Sequence, residues 1–215
     1  MNTLFINGSP KGKKGNTALF IREITSGITE HYDTRILAHE KTDRLAGQML
    51  AYDAVIIVMP LYIHAMPAKV KELFEQMAEL DFAGKKLGFI VQFGFEESAT
   101  ADYLMQYLEV FTERLQCDYL GTILKPGAAG AAILPECFSG KLFKRLRLLG
   151  QEYNQNHSFS PETQKDMGAP YELSEKQVRM YSSPMATRIN KIVWHHILRK
   201  NKAFDKKYDM PYKIS

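Results

Sequence analysis

The run Asp53 to Met59, DAVIIVM, constrains this chain more than any other segment. Apolar, largely β-branched residues on both parities leave no polar side for water, as in a strand of a parallel sheet covered on both faces. Parallel neighbours need a crossover of a dozen or more residues, usually a helix, and the surrounding sequence supplies such units. Thr3 to Asn7 is a short apolar run closed by Gly-Ser-Pro, Tyr32 to Leu37 a weaker, edge-like strand, and Lys86 to Phe93 and Asp118 to Leu124 are two more. Between them, Thr17 to Ile28 spaces Leu19, Phe20, Ile24 and Ile28 near the helical period, with Asn16 or Thr17 as N-cap. Asp43 to Ala51 groups Leu45, Met49 and Leu50, and Ala68 to Leu80 sets Val70, Leu73, Phe74 and Met77 on one face; Thr100 to Leu115 and Glu136 to Glu152 are further helices. This alternation predicts an α/β three-layer sandwich around a five-stranded parallel sheet in the order 2-1-3-4-5.

A chain of 215 residues, 45% hydrophobic and 24% charged, is long enough for one such domain with a sizeable core. The domain is expected over residues 1–153. Asn154 to Pro170 is polar and rich in loop formers, whereas Met185 to Lys200 carries Met185, Ile189, Ile192, Val193, Ile197 and Leu198 near helical spacing. Residues 154–215 therefore read as a helical extension, packed on the domain or on a partner subunit, with a homodimer as the expected assembly.

Cys117 and Cys137 are the only cysteines, too far apart for a compact metal or cluster motif, and adjacent His195 and His196 do not make an i, i+4 pair. No metal site is expected, and His157 falls in the polar linker. The net charge of +4 is mildly basic, concentrated around Lys141 to Arg147 and Arg199 to Lys207. It is either a solvated surface or a field that attracts anionic nucleotides, and weak evidence for nucleic acid. The N-terminus lacks a basic segment followed by a long apolar stretch, and no apolar run reaches membrane-spanning length. A cytoplasmic protein with neither a nucleic-acid nor a membrane partner is the expectation.

In an open parallel sheet, ligands bind beyond the carboxyl ends of the strands where successive connections go opposite ways, which for this order lies between strands one and three. The first loop there, GSPKGKKGNT, joins a strand to a helix N-terminus and offers backbone N–H groups, the Ser9 and Thr17 hydroxyls, the Asn16 amide and three lysines. It is either a phosphate seat or a basic surface turn, and matches neither the Walker A nor the GxGxxG pattern. The second loop, Met59 to Pro67, is apolar and aromatic where connections are usually polar. It suits a flat ring such as a flavin, or a loop buried by the extension or a partner.

INGSPKGKKGNT followed by MPLYIHAMPAKVKELFEQM resembles the flavodoxin-like NADPH-dependent FMN reductase and quinone reductase family, over about the first 125 residues. The resemblance implies that the strand-one loop holds the FMN phosphate through Ser9, Lys11, Gly15, Asn16 and Thr17, and that Pro60, Leu61, Tyr62, Ile63 and His64 line the isoalloxazine. A third loop, Gln92 to Glu96, departs from the Gly-rich form common in the family; Phe93, Gly94 and Phe95 are either ring contacts or, for the two phenylalanines, core. The family's iron–sulfur branch needs a cysteine cluster that this chain lacks. The implied activity is hydride transfer from NADPH or NADH to FMN and onward reduction of a quinone, flavin or similar small acceptor. His64 and Tyr62 are the candidate catalytic side chains, with a structural role the alternative for His64. A flavodoxin-like electron carrier and a non-enzymatic binding module are the competing readings.

Overall fold

Five parallel strands carry the apolar runs: β1 (Thr3–Asn7), β2 (Tyr32–Ile36), β3 (Ala54–Pro60), β4 (Lys86–Gln92) and β5 (Asp118–Lys125). They pair in the order β2-β1-β3-β4-β5. Phe5 sits in register with Thr34 on one side and Ile56 on the other, and Ile56 with Gly88. Every residue of β1 and β3 is buried, whereas β2, with a neighbour on one side only, is mostly exposed. The computed structural model describes residues 1–132 and 136–210, apart from the side chains of residues 136–138 and 189.

Successive strand residues point to opposite faces, and two cores result. Leu4, Ile6, Ile57 and Phe89 pack under α2 (Thr42–Met49), α3 (Ala68–Ala78) and α4 (Asp102–Arg114). Phe5, Ile56, Val58 and Ile90 pack under α1 (Asn16–Thr25) and α5 (Glu136–Asn156). The sheet is thus the middle layer of a flavodoxin-like sandwich.

The contact between α1 and α5 is made backbone to backbone. A Cβ on Gly150 would stand 1.9 Å from the Ile24 carbonyl oxygen, and one on Gly27 would stand 2.3 Å from that of Arg147. Beside these glycines the buried Glu23 carboxylate accepts from Arg22 Nη2 at 2.7 Å and from Arg147 Nε at 2.9 Å. Burial raises the Glu23 pKa, but the two guanidinium groups together outweigh it and hold the carboxyl below its ordinary value.

Two compact units divide the chain, Met1–Glu172 and Leu173–Ser215. The unit that holds the sheet runs past residue 153, and the polar stretch beyond α5 packs on it. The Phe159 N–H donates to the Leu120 carbonyl at 3.0 Å, which covers the outer edge of β5. The Gln164 side chain, on α6 (Pro161–Met167), accepts from the Thr122 N–H at 3.3 Å and donates to the Phe159 carbonyl at 2.9 Å. Phe159 and Met167 are buried in the second core. Cys117 is half-buried, and burial, with Asp118 adding, pushes its thiol up to about 11. Cys137 lies outside the described side chains.

The second unit holds α7 (Glu175–Tyr181), with a capping box between Ser174 and Gln177, and α8 (Pro184–Lys200), capped by Ser183 with Pro184 in the first turn. On α8, Val193, Ile197 and Leu198 are half-buried while Met185 and Ile192 are exposed; Ile189 is outside the described side chains.

Candidate functional site

β1 hands the chain to α1 on one face of the sheet and β3 hands it to α3 on the other, so their carboxyl ends flank a topological switch point. Three loops rise around it.

The loop after β1 is tied to itself. Asn7 Nδ2 donates to the Gly12 carbonyl at 3.0 Å, and its Oδ1 accepts from the Ser9 N–H at 3.0 Å. Ser9 Oγ accepts from the Lys11 N–H at 3.2 Å, and the Ser9 carbonyl accepts from the Gly12 N–H at 3.0 Å. Gly8 sits hard against the core: a Cβ there would lie 2.7 Å from Val70 Cγ2. Gly15 forms the N-cap of α1 in extended conformation, and no side chain caps the helix. The backbone therefore delivers the positive end of α1 to a rim bearing exposed Lys11, Lys13 and Lys14.

The Asn16 side chain makes three hydrogen bonds within the protein. Its Nδ2 donates to the Ala128 and Ala129 carbonyls at 2.7 and 3.3 Å, and its Oδ1 accepts from the Ala132 N–H at 2.9 Å. The amide is occupied in pinning the loop after β5 onto the start of α1. Thr17 is fully buried and accepts from Gln92 Nε2 at 3.2 Å, joining α1 to the end of β4.

The loop after β3 is the opposite in character. Pro60 ends the strand, buried, and Leu61 turns its side chain into the core. Tyr62 and Ala65 then exchange backbone hydrogen bonds at 2.8 and 3.0 Å around Ile63 and His64, whose φ angles are +47° and +62°. Positive φ at both central residues defines a type I′ turn, normally built from Asn and Gly. A β-branched Ile in that region is strained, and such strain collects at ligand sites. Tyr62 is 44% exposed and Ile63 88% exposed. His64 Nδ1 lies 2.8 Å from the Thr100 carbonyl, and its ring stacks parallel to Phe95 with centroids 6.1 Å apart. A carbonyl only accepts, so Nδ1 carries the proton and, in the neutral ring, Nε2 is left as an acceptor.

In the loop after β4 the two phenylalanines separate. Phe93 is a core residue, which removes its side chain from the ring-contact candidates, whereas Phe95 is 53% exposed and Gly94 lies at the surface between them. Backbone bonds stitch the loops together: the Leu61 N–H donates to the Gln92 carbonyl, the Gly127 N–H to that of Phe95 and the Ala128 N–H to that of Phe93. Gly8, Ser9 and Tyr62 share the wall of a pocket of about 500 Å³ with Leu37, Pro67 and Lys69.

Two further lysines, Lys69 and Lys125, were not apparent as candidates from the sequence. Lys69, in the first turn of α3, lines that pocket and donates through Nζ to the Glu40 and Ala38 carbonyls at 2.8 and 3.4 Å. Lys125 ends β5 and donates to the Pro126 carbonyl at 2.7 Å; burial, with Arg145 adding, lowers its pKa. A cation in the first helical turn, where the dipole disfavours it, was the available signal for Lys69.

A family model described as Flavodoxin-like fold matches residues 1–136. The chain belongs to that family. No curated protein sequence matches it. Among solved structures, the flavodoxin-like unit is similar to an NADPH-quinone reductase from P. pentosaceus, with 22% identity over 73% of this chain and 99% of that one and a TM-score of 0.58. It is also similar to general stress protein 14 of Treponema denticola, solved in complex with FMN, at 11% identity over 72% and 98% of the two chains and a TM-score of 0.56. An azoreductase from Bacillus anthracis is 11% identical over 71% of this chain and 99% of its own, with a TM-score of 0.55.

Proposed function

We propose that this flavodoxin-like protein is an FMN-dependent oxidoreductase that takes electrons from NADPH or NADH and passes them to a quinone, a flavin or a similar small acceptor. The observation that carries this reading is one juxtaposition at the switch point: an uncapped helix start behind a glycine-shaped, lysine-rimmed loop, beside a strained turn that holds Tyr62 and Ile63 in the open. The first suits a phosphate and the second the face of an aromatic ring. The names of the similar structures, two reductases and an FMN complex, support the same reading.

The residues present fit FMN. Gly8 is packed too tightly against Val70 for a side chain, which fixes the loop, and the start of α1, with no side-chain cap, would offer its backbone N–H groups to a phosphate beside the Ser9 hydroxyl. Lys11 supplies countercharge at the rim. Tyr62, Ile63 and Phe95 would contact the ring, with Pro60 and Leu61 supporting them from the core. Bound FMN supplies a hydride acceptor, so the protein's own work is to bind, orient and exclude water. His64 is held by Thr100 and Phe95, and its Nε2 would be available as a hydrogen-bond acceptor to a bound ligand. Lys13 and Lys14 remain free to attract the phosphates of the nicotinamide nucleotide.

The test is the visible spectrum of the full chain after incubation with FMN and desalting, followed by anaerobic addition of NADPH. Retained yellow flavin that bleaches is the expected result. Retained flavin that stays oxidised identifies an electron carrier instead, and a colourless protein overturns the assignment of the site.

A further inference from the structure

The two units differ in charge as sharply as in structure. Residues 173–215 hold ten Lys and Arg against three Asp and Glu, whereas residues 1–172 hold 18 against 21. The mildly basic chain is thus a slightly acidic flavodoxin-like unit joined to a strongly basic one. Helix α8 contains no acidic residue and is followed by Lys202, Lys206 and Lys207.

This basic unit also leaves several large apolar side chains in the open. None of the described side chains from 173 to 210 is buried. Met185 is 66% and Ile192 70% exposed, and Val178, Met180, Trp194 and Met210 are exposed as well. Met185, Arg188, Ile192, His196 and Arg199 follow one another at i, i+3, i+7, i+11 and i+14, so they form a single stripe along α8, and all five are exposed. Exposed Met185 and Ile192 can enter a lipid interface among the acyl chains, while the long side chains of Arg188 and Arg199 beside them reach back to the phosphates.

We infer that the C-terminal unit docks on an anionic lipid surface through the Met185–Arg199 stripe of α8. Charge selects an anionic partner. Aliphatic Met185 and Ile192 have no use at a nucleic-acid backbone, and apolar residues scattered from Val178 to Met210 suit a deformable phase better than a shaped protein groove. A second copy would bring two strongly basic units together against flavodoxin-like units that carry little negative charge. Among the described residues no helix is long and apolar enough to cross a membrane, and the expectation of no membrane partner rested on that absence; peripheral docking does not require a span. The inference is independent of the flavin assignment.

The test is sedimentation of the full chain with vesicles of phosphatidylcholine alone or containing about one third phosphatidylglycerol. Binding to the anionic vesicles only, lost in high salt, is expected. Each basic residue near such a surface is worth roughly fivefold in binding. Reversing Arg188, Arg199 and Lys200 to Glu should therefore weaken binding by at least about 100-fold, and Ile192→Glu should weaken it without removing a cation. These positions are exposed, and an unchanged circular dichroism spectrum verifies that each variant is folded. No sedimentation with anionic vesicles, or equal sedimentation with neutral ones, overturns the inference. So does an affinity for a labelled oligonucleotide above that for vesicles, or a dimer in light scattering that dissociates in the variants while vesicle binding persists.

Discussion

The loops after β1 and β3 stand side by side and are built on opposite terms. In the first, polar side chains are spent on the backbone: Asn7 and Ser9 fold the chain around Gly12, and these three residues are buried beneath the exposed lysines. In the second, two backbone hydrogen bonds hold a turn that Ile63 and His64 resist, and apolar side chains project into solvent. A phosphate needs fixed donors, so its seat gains from rigidity. A ring needs contact area, and exposed apolar groups gain from being covered. The difference implies that the first loop is in place before a ligand arrives, whereas the second has stability to gain from one.

The largest blow to the first loop is Gly8→Val, which drives a side chain into Val70 and the Met59 Cβ, 3.2 Å from the added Cβ position. A loss of about 3 kcal/mol is expected in urea unfolding, together with loss of FMN binding. An unchanged midpoint would show that the loop is looser than its contacts imply. Glu23→Gln acts from below, through α1, and should cost about 2 kcal/mol at neutral pH. Because Glu23 has its folded pKa lowered, its contribution is full above the unfolded value and lost as pH falls through the folded one. The wild type should therefore converge on the variant in acid; a gap that persists there would refute the ion-pair account.

Asn16→Ala removes the side chain that gathers Ala128, Ala129 and Ala132, at an expected cost of about 1.5 kcal/mol. FMN affinity should fall less than in Ser9→Ala, and the reverse order, read by flavin titration, would return the Asn16 amide to the phosphate. The smallest effect has the opposite sign. Ile63→Gly relieves the positive φ and should stabilise the apo protein by about 1 kcal/mol while weakening flavin binding. Destabilisation would mean that the turn is not strained.

Legibility followed the same division. β1 was readable to the residue and β3 within one, because a strand buried on both faces has a sequence pattern that solvent-exposed segments lack. Helices α6 and α7 were not, since neither is long enough to display a period; Ser160-Pro161 and the Ser174…Gln177 box were their only signs. At the site, the residue types of both loops were visible but not their allegiance. Nothing local tells that Phe93 turns inward and Phe95 outward, or that the Asn16 amide is claimed by carbonyls more than a hundred positions away. Those outcomes depend on long-range packing.

The touching backbones of α1 and α5 carry a warning for anyone who screens variants. Gly27 and Gly150 admit no other residue without moving a main chain, so in a library selected for activity both would come out as immutable as any ligand-binding position. Intolerance there would report the fit of two helices and nothing about electron transfer, and only a readout that separates folded protein from flavin-loaded protein would tell the two apart.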